Sequence, residues 1–350
     1  MTSILITGGS GFIGSHTCYS LLKEGHEIFV IDSFINSSEK SLERVILLLK
    51  ERKKNIHRNL HLFKGDIKNP RDIEKIFQKA LEIGKAIKAV IHFAGLKSVS
   101  DSVSNPISYW ENNVTGTINL LKIMAKYDCN NLVFSSSATV YKAKSETLLK
   151  ENDICEPNNP YGFSKLTVER ILNDLHISNP SKWRIVSLRY FNPVGAHKSG
   201  LIGEDPLGEA NNIYPQITKV AIGQINEIKI YGSDWPTYDG TGIRDYIHVM
   251  DIAEGHLAAL NYLLKEKPQN LIINLGTGKG ISVLELIKIF QDTNDVKIPF
   301  IFVGRRPGDY PFVVADNSLA KSILNWEPKR DITDICRTGW IWQLKNPNGY

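Results

Sequence analysis

The sequence has few cysteines and no long apolar run, and both absences limit what the protein can be. Its 350 residues include only four cysteines, Cys18, Cys129, Cys155 and Cys336, widely spaced and without histidines beside them at metal-ligand spacing. This distribution indicates neither a disulfide framework nor a zinc site, predicts no bound metal and fits a reducing, cytoplasmic location. No window approaches the ~18 apolar residues of a membrane span, and the amino terminus does not resemble a signal peptide. We therefore expect a soluble protein without a membrane partner.

A strong excess of charge of either sign is absent as well. The chain carries 42 basic and 37 acidic residues, a formal net charge of +5. Its densest basic stretch, from Lys50 to Arg58, follows the apolar run 45–49 and has no interleaved aromatic residues. We interpret this stretch as the solvated end of an amphipathic helix, which the pattern favours over a nucleic-acid patch, and we expect no nucleic-acid partner.

Apolar residues make up 42% of the chain, enough for a large core in two domains or one large α/β unit. In the first half, short β-branched runs alternate with longer helical patterns, the runs being 3–7, 27–32, 60–66, 88–94, 131–137 and 184–191. Such alternation predicts an α/β fold of Rossmann type, a doubly wound parallel sheet with helices on both faces. Ligands of such sheets bind beyond the carboxyl ends of the strands.

The pattern changes after Asn192, where residues 193–215 are irregular and rich in Gly, Pro and Asn. Beyond them we predict a helix over 213–225, strands over 228–231 and 243–248, and a helix over 250–265. The sequence therefore predicts a first domain over 1–192 and a smaller α/β substrate-binding domain over 193–350. The boundary is not sharp, and part of 240–265 is an alternative member of the first domain.

A glycine-rich turn follows the first predicted strand. Gly8, Gly9, Gly11 and Gly14 fit both GxGxxG and GxxGxxG spacing and open a predicted helix from Phe12 to Lys23. Glycines permit a tight turn and let the backbone approach a pyrophosphate, whose charge is met by amides at the helix amino terminus. A glycine turn with no ligand is the alternative, and the strand–turn–helix context disfavours it.

Two acidic residues at later strand ends are candidates for the adenosine half of a dinucleotide. Asp32, which ends the second run, would accept hydrogen bonds from the ribose hydroxyls and repel a 2′-phosphate, which favours NAD over NADP. Asp66 and Ile67 follow the third run and are positioned to meet the adenine. Asp66 alone could equally be a helix cap.

A tyrosine and a lysine four residues apart begin another predicted helix, in NPYGFSK (159–165). Tyr161 and Lys165 share a helix face, and the strand 131–137 brings Ser135, Ser136 and Ser137 to the same end of the sheet. A phenol pKa of about 10 is too high for a base at neutral pH, but a nearby ammonium and a cationic nicotinamide favour the phenolate. We therefore predict that Tyr161 is a base and that Lys165 lowers its pKa. An exposed YxxxK without function is the alternative.

The glycine-rich start, the SSS strand end and YxxxK together resemble the extended short-chain dehydrogenase/reductase superfamily, in which serine, tyrosine and lysine form the catalytic set. Longer strings resemble its UDP-glucose 4-epimerase family: HFAGLKSV (92–99), NNVTGT (112–117), FSSSATVY (134–141), RYFNPVGAH (189–197), YDGTGIRDYIHV (238–249) and RRPGDYP (305–311). The resemblance implies an NAD-dependent homodimeric isomerase that interconverts UDP-galactose and UDP-glucose by transient oxidation at the sugar C4, through a 4-keto intermediate that turns over.

The resemblance also assigns roles by position along the chain. The implied catalytic residues are Ser137, Tyr161 and Lys165. The implied cofactor-binding residues are Gly8, Gly11, Phe12, Ile13, Gly14, Asp32, Asn36, Ser37, Asp66, Ile67, Phe93, Ala94, Gly95, Lys97, Asn112, Tyr161, Lys165 and Tyr190. The implied substrate-binding residues are Lys97, Ser137, Tyr161, Asn192, Asn212, Tyr231, Arg244, Arg306, Asp309 and Val313. For Arg244, a structural ion pair with Asp245 is an open alternative.

Other members of the superfamily offer alternative functions. The 4,6-dehydratases carry an Asp-Glu pair after a threonine at this strand end, whereas this chain has Ser137-Ala138-Thr139, which disfavours dehydration. A UDP-glucuronate epimerase or decarboxylase is the second enzyme hypothesis. A non-catalytic NAD-binding regulator is disfavoured because Ser137, Tyr161 and Lys165 are all present.

Two positions depart from the family pattern. The residue two places after the proline of the GDxP segment is tyrosine in members restricted to UDP-glucose and UDP-galactose, and small in members that accept N-acetylated sugars. Here it is Val313, of intermediate size, which predicts at least partial activity on UDP-N-acetylglucosamine. Ser33 replaces the asparagine of many members after Asp32, and this weakens the implied ribose contact.

Overall fold

The computed structural model describes residues 1–50, 56–142, 147–206, 212–306 and 308–350. The basic stretch 50–58 falls largely on residues 51–55, outside the described residues, so its interpretation stays a prediction. Within the described ranges, no helix combines the length and the apolar character that crossing a membrane requires.

A seven-stranded parallel sheet forms the centre of the molecule and confirms the predicted fold class. Its strands lie in the order β11-β6-β5-β4-β1-β2-β3, and every pairing is parallel. Each residue of the first two strands is buried, as expected where helices cover both faces of a sheet. The strands are β1 (Ser3–Thr7), β2 (Glu27–Asp32), β3 (Leu60–Lys64), β4 (Ala89–His92), β5 (Asn131–Ser137), β6 (Arg184–Tyr190) and β11 (Gln269–Leu275).

Helices cover the two faces of this sheet in separate layers. The apolar cluster on one face unites side chains of α1, α2 and α9 (Val249–Lys265), and the cluster on the other unites those of α3, α6 and α7. The predicted helix 12–23 is confirmed as α1. The helices of the first half are α1 (Phe12–Lys23), α2 (Lys40–Lys50), α3 (Pro70–Glu82), α4 (Val99–Ser104), α5 (Pro106–Tyr109), a π-helix (Trp110–Thr115), α6 (Gly116–Lys126) and α7 (Pro160–Ser178).

The second half of the chain contributes to the central sheet and also builds smaller ones. Helix α9 packs against α1, and β11 then joins β6 as the last strand of the sheet. The small sheets have the orders β10-β7, β12-β9-β14 and β13-β8. Since β11 returns to the first sheet, residue 192 does not separate the two sets of strands, and the domain boundary stays a prediction.

Of the elements predicted after residue 192, the strand 228–231 is confirmed, the helix 250–265 begins one residue earlier, and the helix 213–225 ends four residues earlier. The observed elements are β7 (Asn192–Val194), α8 (Ile213–Ala221), β8 (Ile228–Tyr231), β9 (Ile243–Arg244), β10 (Tyr246–His248), α9 (Val249–Lys265), β12 (Ile281–Ser282), α10 (Val283–Asn294), β13 (Phe300–Val303), β14 (Phe312–Val313), α11 (Ser318–Leu324) and α12 (Ile332–Lys345).

The predicted strand 243–248 is wrong in one respect, because it forms two strands that belong to different sheets. Asp245 lies between them, and its buried carboxylate accepts hydrogen bonds from Thr277, Gly278 and Ala315. A carboxylate that is removed from water requires such donors, and the chain changes sheets where they are supplied.

Candidate active site

A cavity of about 380 Å³ opens at the carboxyl ends of the central strands. Its size falls in the range of roughly 300 to 1,000 Å³ that is usual for small-molecule sites. Most of the predicted site residues line it: Gly8, Gly11, Phe12, Ile13, Gly14, Asp32, Asn36, Ser37, Asp66, Ile67, Phe93, Ala94, Gly95, Lys97, Asn112, Ser137, Tyr161, Lys165, Tyr190, Asn192 and Asn212.

The glycine-rich turn has the geometry that a bound pyrophosphate requires. Gly8 has a φ of +70°, and a Cβ there would lie 2.7 Å from the Ala94 nitrogen. A Cβ on Gly14 would lie 2.3 Å from the Gly8 carbonyl oxygen, so the turn closes tightly on the helix. Helix α1 begins after Gly11 with no side-chain cap, which leaves its first amides to meet an anion.

Asp32 is held rigidly at the side of this turn. Its carboxylate accepts hydrogen bonds from the Ser10 amide at 2.9 Å, the Phe34 amide at 3.0 Å and the Ser37 hydroxyl at 2.7 Å. A carboxylate offers about four acceptor positions, so roughly one is left for a ligand hydroxyl. Ser37, expected to contact the cofactor, therefore also orients the acid next to it.

Asp66 is not the amino-terminal cap of the following helix. That position belongs to Asn69, whose side chain accepts from the Arg71 amide at 3.2 Å. Asp66 instead accepts from the Lys68 amide at 2.8 Å while lining the cavity. Asp66 therefore remains a predicted cofactor residue, and its alternative role as a helix cap is not supported.

Tyr161 and Lys165 occupy the first turns of α7, which Asn159 caps through the Gly162 amide at 2.9 Å. Ser137, at the end of β5, lies at the same edge of the sheet. The Lys165 Nζ donates to the Ser135 carbonyl at 2.8 Å and lies 6.0 Å from the centroid of the Tyr161 ring. The strand end and the helix start therefore bring the predicted serine, tyrosine and lysine together.

Burial opposes ionisation of both Tyr161 and Lys165. It raises the pKa of the Tyr161 phenol, and the Ser137 hydroxyl acts in the other direction. Burial also lowers the pKa of Lys165 to about 8, against the opposing effect of Glu169. Tyr161 is thus a neutral phenol in the protein alone, and a lower pKa requires a further positive charge, such as the predicted cationic nicotinamide.

Two more predicted cofactor residues have distinctive surroundings. Lys97 forms an ion pair with Glu204 across the cavity mouth, with 3.2 Å between Nζ and Oε1. Asn112 lies on the π-helix Trp110–Thr115, and such wide turns often occur at functional sites. The next residue, Asn113, is buried and bonds the Leu96 amide at 2.8 Å and the Ser164 hydroxyl at 2.9 Å, which ties the loop after β4 to α7.

Five predicted substrate residues do not line this cavity: Tyr231, Arg244, Arg306, Asp309 and Val313. They lie on the small sheets and the segment between them. The Arg306 guanidinium lies 4.2 Å from the centroid of the Tyr231 ring, and Arg244 pairs with Val313 in the β9–β14 register. The Asp309 amide donates to the Arg306 carbonyl at 3.2 Å. These contacts link the five residues in pairs, and none of the five lies in the cavity wall.

Arg244 does not form the ion pair with Asp245 that was its structural alternative. Its Nη1 donates to the carbonyl of Ile243 at 2.9 Å, and the Asp245 carboxylate is taken by donors of residues 277, 278 and 315. The guanidinium of Arg244 is therefore not neutralised by its neighbour in sequence.

Several residues in or next to the site were not predicted from the sequence. Glu204 lines the cavity but lies in an irregular segment without a motif. Glu169 and Arg189 form a buried ion pair directly behind the serines, with 2.6 Å between Nη2 and Oε2. A signal for that pair was present, since Glu169 follows Lys165 by one helical turn and Arg189 interrupts the apolar run of β6.

Comparisons with known proteins show which family the chain is similar to. The family model described as GDP-mannose 4,6 dehydratase matches residues 5–339. UDP-glucose 4-epimerase 2 of Arabidopsis thaliana is 48% identical over 348 residues, covering 99% of this chain and 97% of the relative.

Solved epimerase structures have the same fold over the whole chain. UDP-glucose 4-epimerase from Bifidobacterium longum, in complex with NAD+ and UDP, is 44% identical with a TM-score of 0.91 and covers 100% of both chains. The enzyme from Stenotrophomonas maltophila, with bound NAD and formylated UDP-arabinopyranose, is 42% identical with a TM-score of 0.92 and covers 99% of both chains.

The glycine turn provides a direct test of the dinucleotide site. We expect Gly14→Ala to weaken NAD binding by about tenfold to 100-fold, because the added Cβ displaces the Gly8 carbonyl and opens the turn. The measurement is calorimetric titration of the cofactor-free protein with NAD. Gly304→Ala is the matched control, since a Cβ there meets nothing within 4 Å. Unchanged affinity in a folded Gly14→Ala protein would show that the turn does not hold the pyrophosphate.

Proposed function

The chain belongs to the UDP-glucose 4-epimerase family, and from this premise we infer how its residues carry out the reaction. It is an NAD-dependent isomerase that interconverts UDP-galactose and UDP-glucose. The observation that carries this function is the meeting of Ser137, Tyr161 and Lys165 beside the glycine-rich turn, in a chain that matches epimerases from end to end.

The matching family model carries a dehydratase description, and the strand end argues against that chemistry in this chain. Elimination of water requires an acid and a base beside the sugar. The two residues after Ser137 are instead Ala138 and Thr139, and the Thr139 hydroxyl donates to the Ser137 Oγ at 2.9 Å. We therefore interpret the matching family model as describing a wider superfamily that includes the epimerases.

The residues present fit NAD. The uncapped start of α1 and the tight turn at Gly8 and Gly14 suit the pyrophosphate, and Asp32 has an acceptor position left for the ribose. When bound, NAD supplies the acceptor and later donor of the sugar C4 hydride. We propose that the remaining residues assigned by the resemblance bind the two ligands in the positions described above.

The hydrogen bonds around Ser137 support a role for its hydroxyl as a hydrogen-bond donor to the reacting groups. Its Oγ accepts from the Thr139 amide at 3.2 Å and from the Thr139 hydroxyl at 2.9 Å. With its lone pairs engaged, the hydroxyl can only donate, and it does so toward the Tyr161 oxygen or the sugar O4. Tyr161 takes the proton from the 4-hydroxyl, and Ser137 steadies the oxygen that becomes the ketone.

Epimerisation further requires that the 4-keto sugar turn over while its nucleotide stays bound. We propose that Arg244, Arg306 and Asn192 hold the diphosphate and that Tyr231, Asn212 and Asp309 hold the uridine. Arginine forks match phosphate oxygens with charge-assisted hydrogen bonds, which are about twice as strong as neutral ones. Binding energy is thereby concentrated away from the hexose, which stays free to rotate.

The function and the base are tested together with UDP-galactose and no added NAD. We expect the purified protein to form UDP-glucose and Tyr161→Phe to lose at least ~100-fold in kcat while keeping NAD bound, since only the general base is removed. Product sugars are followed by chromatography. Tyr127→Phe is the control, because its phenol hydrogen-bonds Glu74 on another face of the molecule.

Three results would contradict this assignment. Near-normal kcat in Tyr161→Phe would show that another group is the base. Accumulation of reduced cofactor with a stable keto product would indicate a dehydrogenase. Turnover of UDP-glucuronate in preference to UDP-galactose would favour the alternative enzyme hypothesis.

We propose that Val313 leaves room for a substituent at the sugar C2. Val313 is half-buried on β14 and packs against a cluster that contains Ala138 and Phe191, and Phe191 lines the cavity. Its side chain thus lies at the boundary between the catalytic end and the small sheets, and its volume limits the space beside the hexose.

We expect Val313→Tyr to lower kcat/KM for UDP-N-acetylgalactosamine by about tenfold or more, because the ring fills space that the acetamido group needs. Turnover of UDP-galactose should change far less. Val313→Ala is the opposite control and should raise the ratio of the two values. Equal effects on both substrates, or no detectable turnover of the N-acetylated one by the unaltered protein, would remove this proposal.

We also propose a homodimer formed through the helices beside the site. Helices α4 and α5 pack on α7 and leave a helical patch of exposed apolar side chains, Val103, Ile107, Trp110 and Phe163. Two of these, Val103 and Ile107, are 63% and 67% exposed in the single chain. Apolar side chains grouped in this way commonly mark a protein interface.

We expect Ile107→Glu to weaken the dimer by about 100-fold or more, since an unpaired carboxylate would be buried in the interface. Sedimentation velocity over a range of concentrations measures the change. Leu47→Glu on α2 is the matched control, an exposed leucine outside the patch. Dimers of unchanged affinity in Ile107→Glu would place the interface elsewhere.

The cytoplasmic location is a further proposal, supported by the state of the cysteines. All four are free thiols, and Cys18, Cys129 and Cys336 are buried. Burial raises the pKa of Cys129 to about 12 and so keeps it an unreactive thiol. A chain without disulfides does not depend on an oxidising compartment, which fits the reducing cytoplasm.

A further inference from the structure

A buried ion pair lies directly behind the catalytic residues. The side chains of Glu169 on α7 and Arg189 on β6 are only 3% and 2% exposed. The arginine binds both carboxylate oxygens with one edge of its guanidinium, with 2.9 Å from Nε to Oε1 and 2.6 Å from Nη2 to Oε2. Removal of two charges from water is costly, so such a pair is weak evidence for stability and suggests a specific structural use.

The carboxylate of Glu169 also holds the strand that carries the catalytic serine. The Ser136 hydroxyl donates to Glu169 Oε1 at 2.5 Å. Ser136 is the register partner of Arg189 in the β5–β6 pair, so both side chains reach the carboxylate from adjacent strands. Glu169 itself follows Lys165 by four residues and lies on the same face of α7.

Ser136 stands between two residues that the reaction uses. On one side, the Ser135 carbonyl accepts the hydrogen bond of the Lys165 Nζ at 2.8 Å. On the other, Ser137 presents its hydroxyl to the cavity. Because all three serines lie on one strand that is paired with β6, anchoring the Ser136 side chain restrains the positions of both neighbours.

The side of the Arg189 guanidinium that faces away from Glu169 contacts the chain before α7. Its Nη1 donates to the Glu151 carbonyl at 3.0 Å, and its guanidinium lies 4.7 Å from the centroid of the Tyr141 ring. The Tyr141 hydroxyl donates to Asn274 at 2.6 Å, and Asn274 holds the Leu149 carbonyl at 2.8 Å. This arm is separate from the serines, so the two sides of the ion pair can be tested independently.

We propose that Glu169 is a positioning residue for the reaction: held by Arg189, its carboxylate anchors Ser136 and thereby sets the Ser135 carbonyl that binds Lys165 and the Ser137 hydroxyl that meets the sugar. This inference rests on the proposed epimerase function. It assigns to Glu169 no contact with either ligand.

An electrostatic consequence accompanies the geometric one. Lys165 is buried, which lowers its pKa to about 8, and the negative charge of Glu169 opposes that shift. The other titratable or charged groups around Lys165 and the ion pair, taken from every element packed there, are His92 on β4, Tyr161 on α7, Tyr190 on β6, and Tyr141, Glu151 and Cys155 on the segment before α7. Of the two carboxylates in this group, only Glu169 bears on the pKa of Lys165.

The decisive variant is Ser136→Ala, which removes one hydrogen bond and leaves both buried charges paired. We expect kcat on UDP-galactose to fall by about tenfold, the loss of one hydrogen bond to a charged group, with KM changed by less than about twofold. Bound NAD should be retained. Tyr141→Phe is the matched control, because it loses one buried hydroxyl of the same network on the far side of Arg189, and its kcat should stay within about twofold.

Glu169→Gln adds a second measurement, the pH profile of kcat, whose shape a purely structural role of Glu169 would not change. With its negative charge gone, Lys165 loses its proton at a lower pH, so the alkaline limb of the kcat profile should shift to lower pH. A general loosening of the fold would reduce kcat equally at all pH values. If this variant does not fold, Ser136→Ala decides alone.

The outcomes separate the inference from the function on which it rests. An active wild-type protein with unchanged kcat in Ser136→Ala overturns the positioning role and leaves the epimerase assignment intact. An equal loss in Ser136→Ala and Tyr141→Phe also overturns it, because the effect would then belong to the network in general. A wild-type protein that does not epimerise UDP-galactose overturns the function and the inference with it.

Discussion

The buried ammonium of Lys165 is the interaction on which the arrangement of the site depends. It is largely buried, and its partners in the protein are the Ser135 carbonyl at 2.8 Å and the face of the Phe134 ring, whose centroid is 5.0 Å away. Burial raises the pKa of Tyr161 and lowers that of Lys165. Tyr161 is therefore neutral in the protein alone, and in the proposed mechanism its action as a base depends on the positive charge of the bound cofactor.

The three consecutive serines at the end of β5 make three different contacts, and the geometry of a strand explains why. Side chains alternate across a sheet, so the Ser136 hydroxyl reaches Glu169 on α7, whereas the Ser135 carbonyl accepts from Lys165 and the Ser137 hydroxyl accepts from Thr139; all three serines line the cavity. The chain thus uses one short segment both as structural anchor and as reacting edge. This arrangement makes the geometry of the reacting groups depend on a buried carboxylate that never meets the substrate.

Local patterns in the sequence predicted the first half well, and contacts between distant segments account for what they missed. The strand SILIT, the helix from Phe12 and the glycine turn between them are encoded within a few residues, and all three are confirmed. The return of β11 to the central sheet and the division of 243–248 at Asp245 depend on partners far away in the chain. The pairing of Glu169 with Arg189 also joins separate elements, so spacing rules could flag each residue but not their contact.

The proposed catalytic residues and the proposed diphosphate-binding arginines lie on different elements, and this suggests how one site could act on both faces of a sugar. The cavity wall near Tyr161 offers hydroxyls and apolar rings, whereas the cations proposed for the diphosphate, Arg244 and Arg306, lie on other elements. Neutral hydrogen bonds contribute about 1 kcal/mol each and charge-assisted ones roughly twice that, so we expect the nucleotide end to dominate binding. A hexose that is tethered by its diphosphate and only weakly held elsewhere can turn between two encounters with the same base. One fold can host several reactions, so the function proposed for this chain depends on the side chains at the strand end, Ser137, Ala138 and Thr139, more than on the sheet.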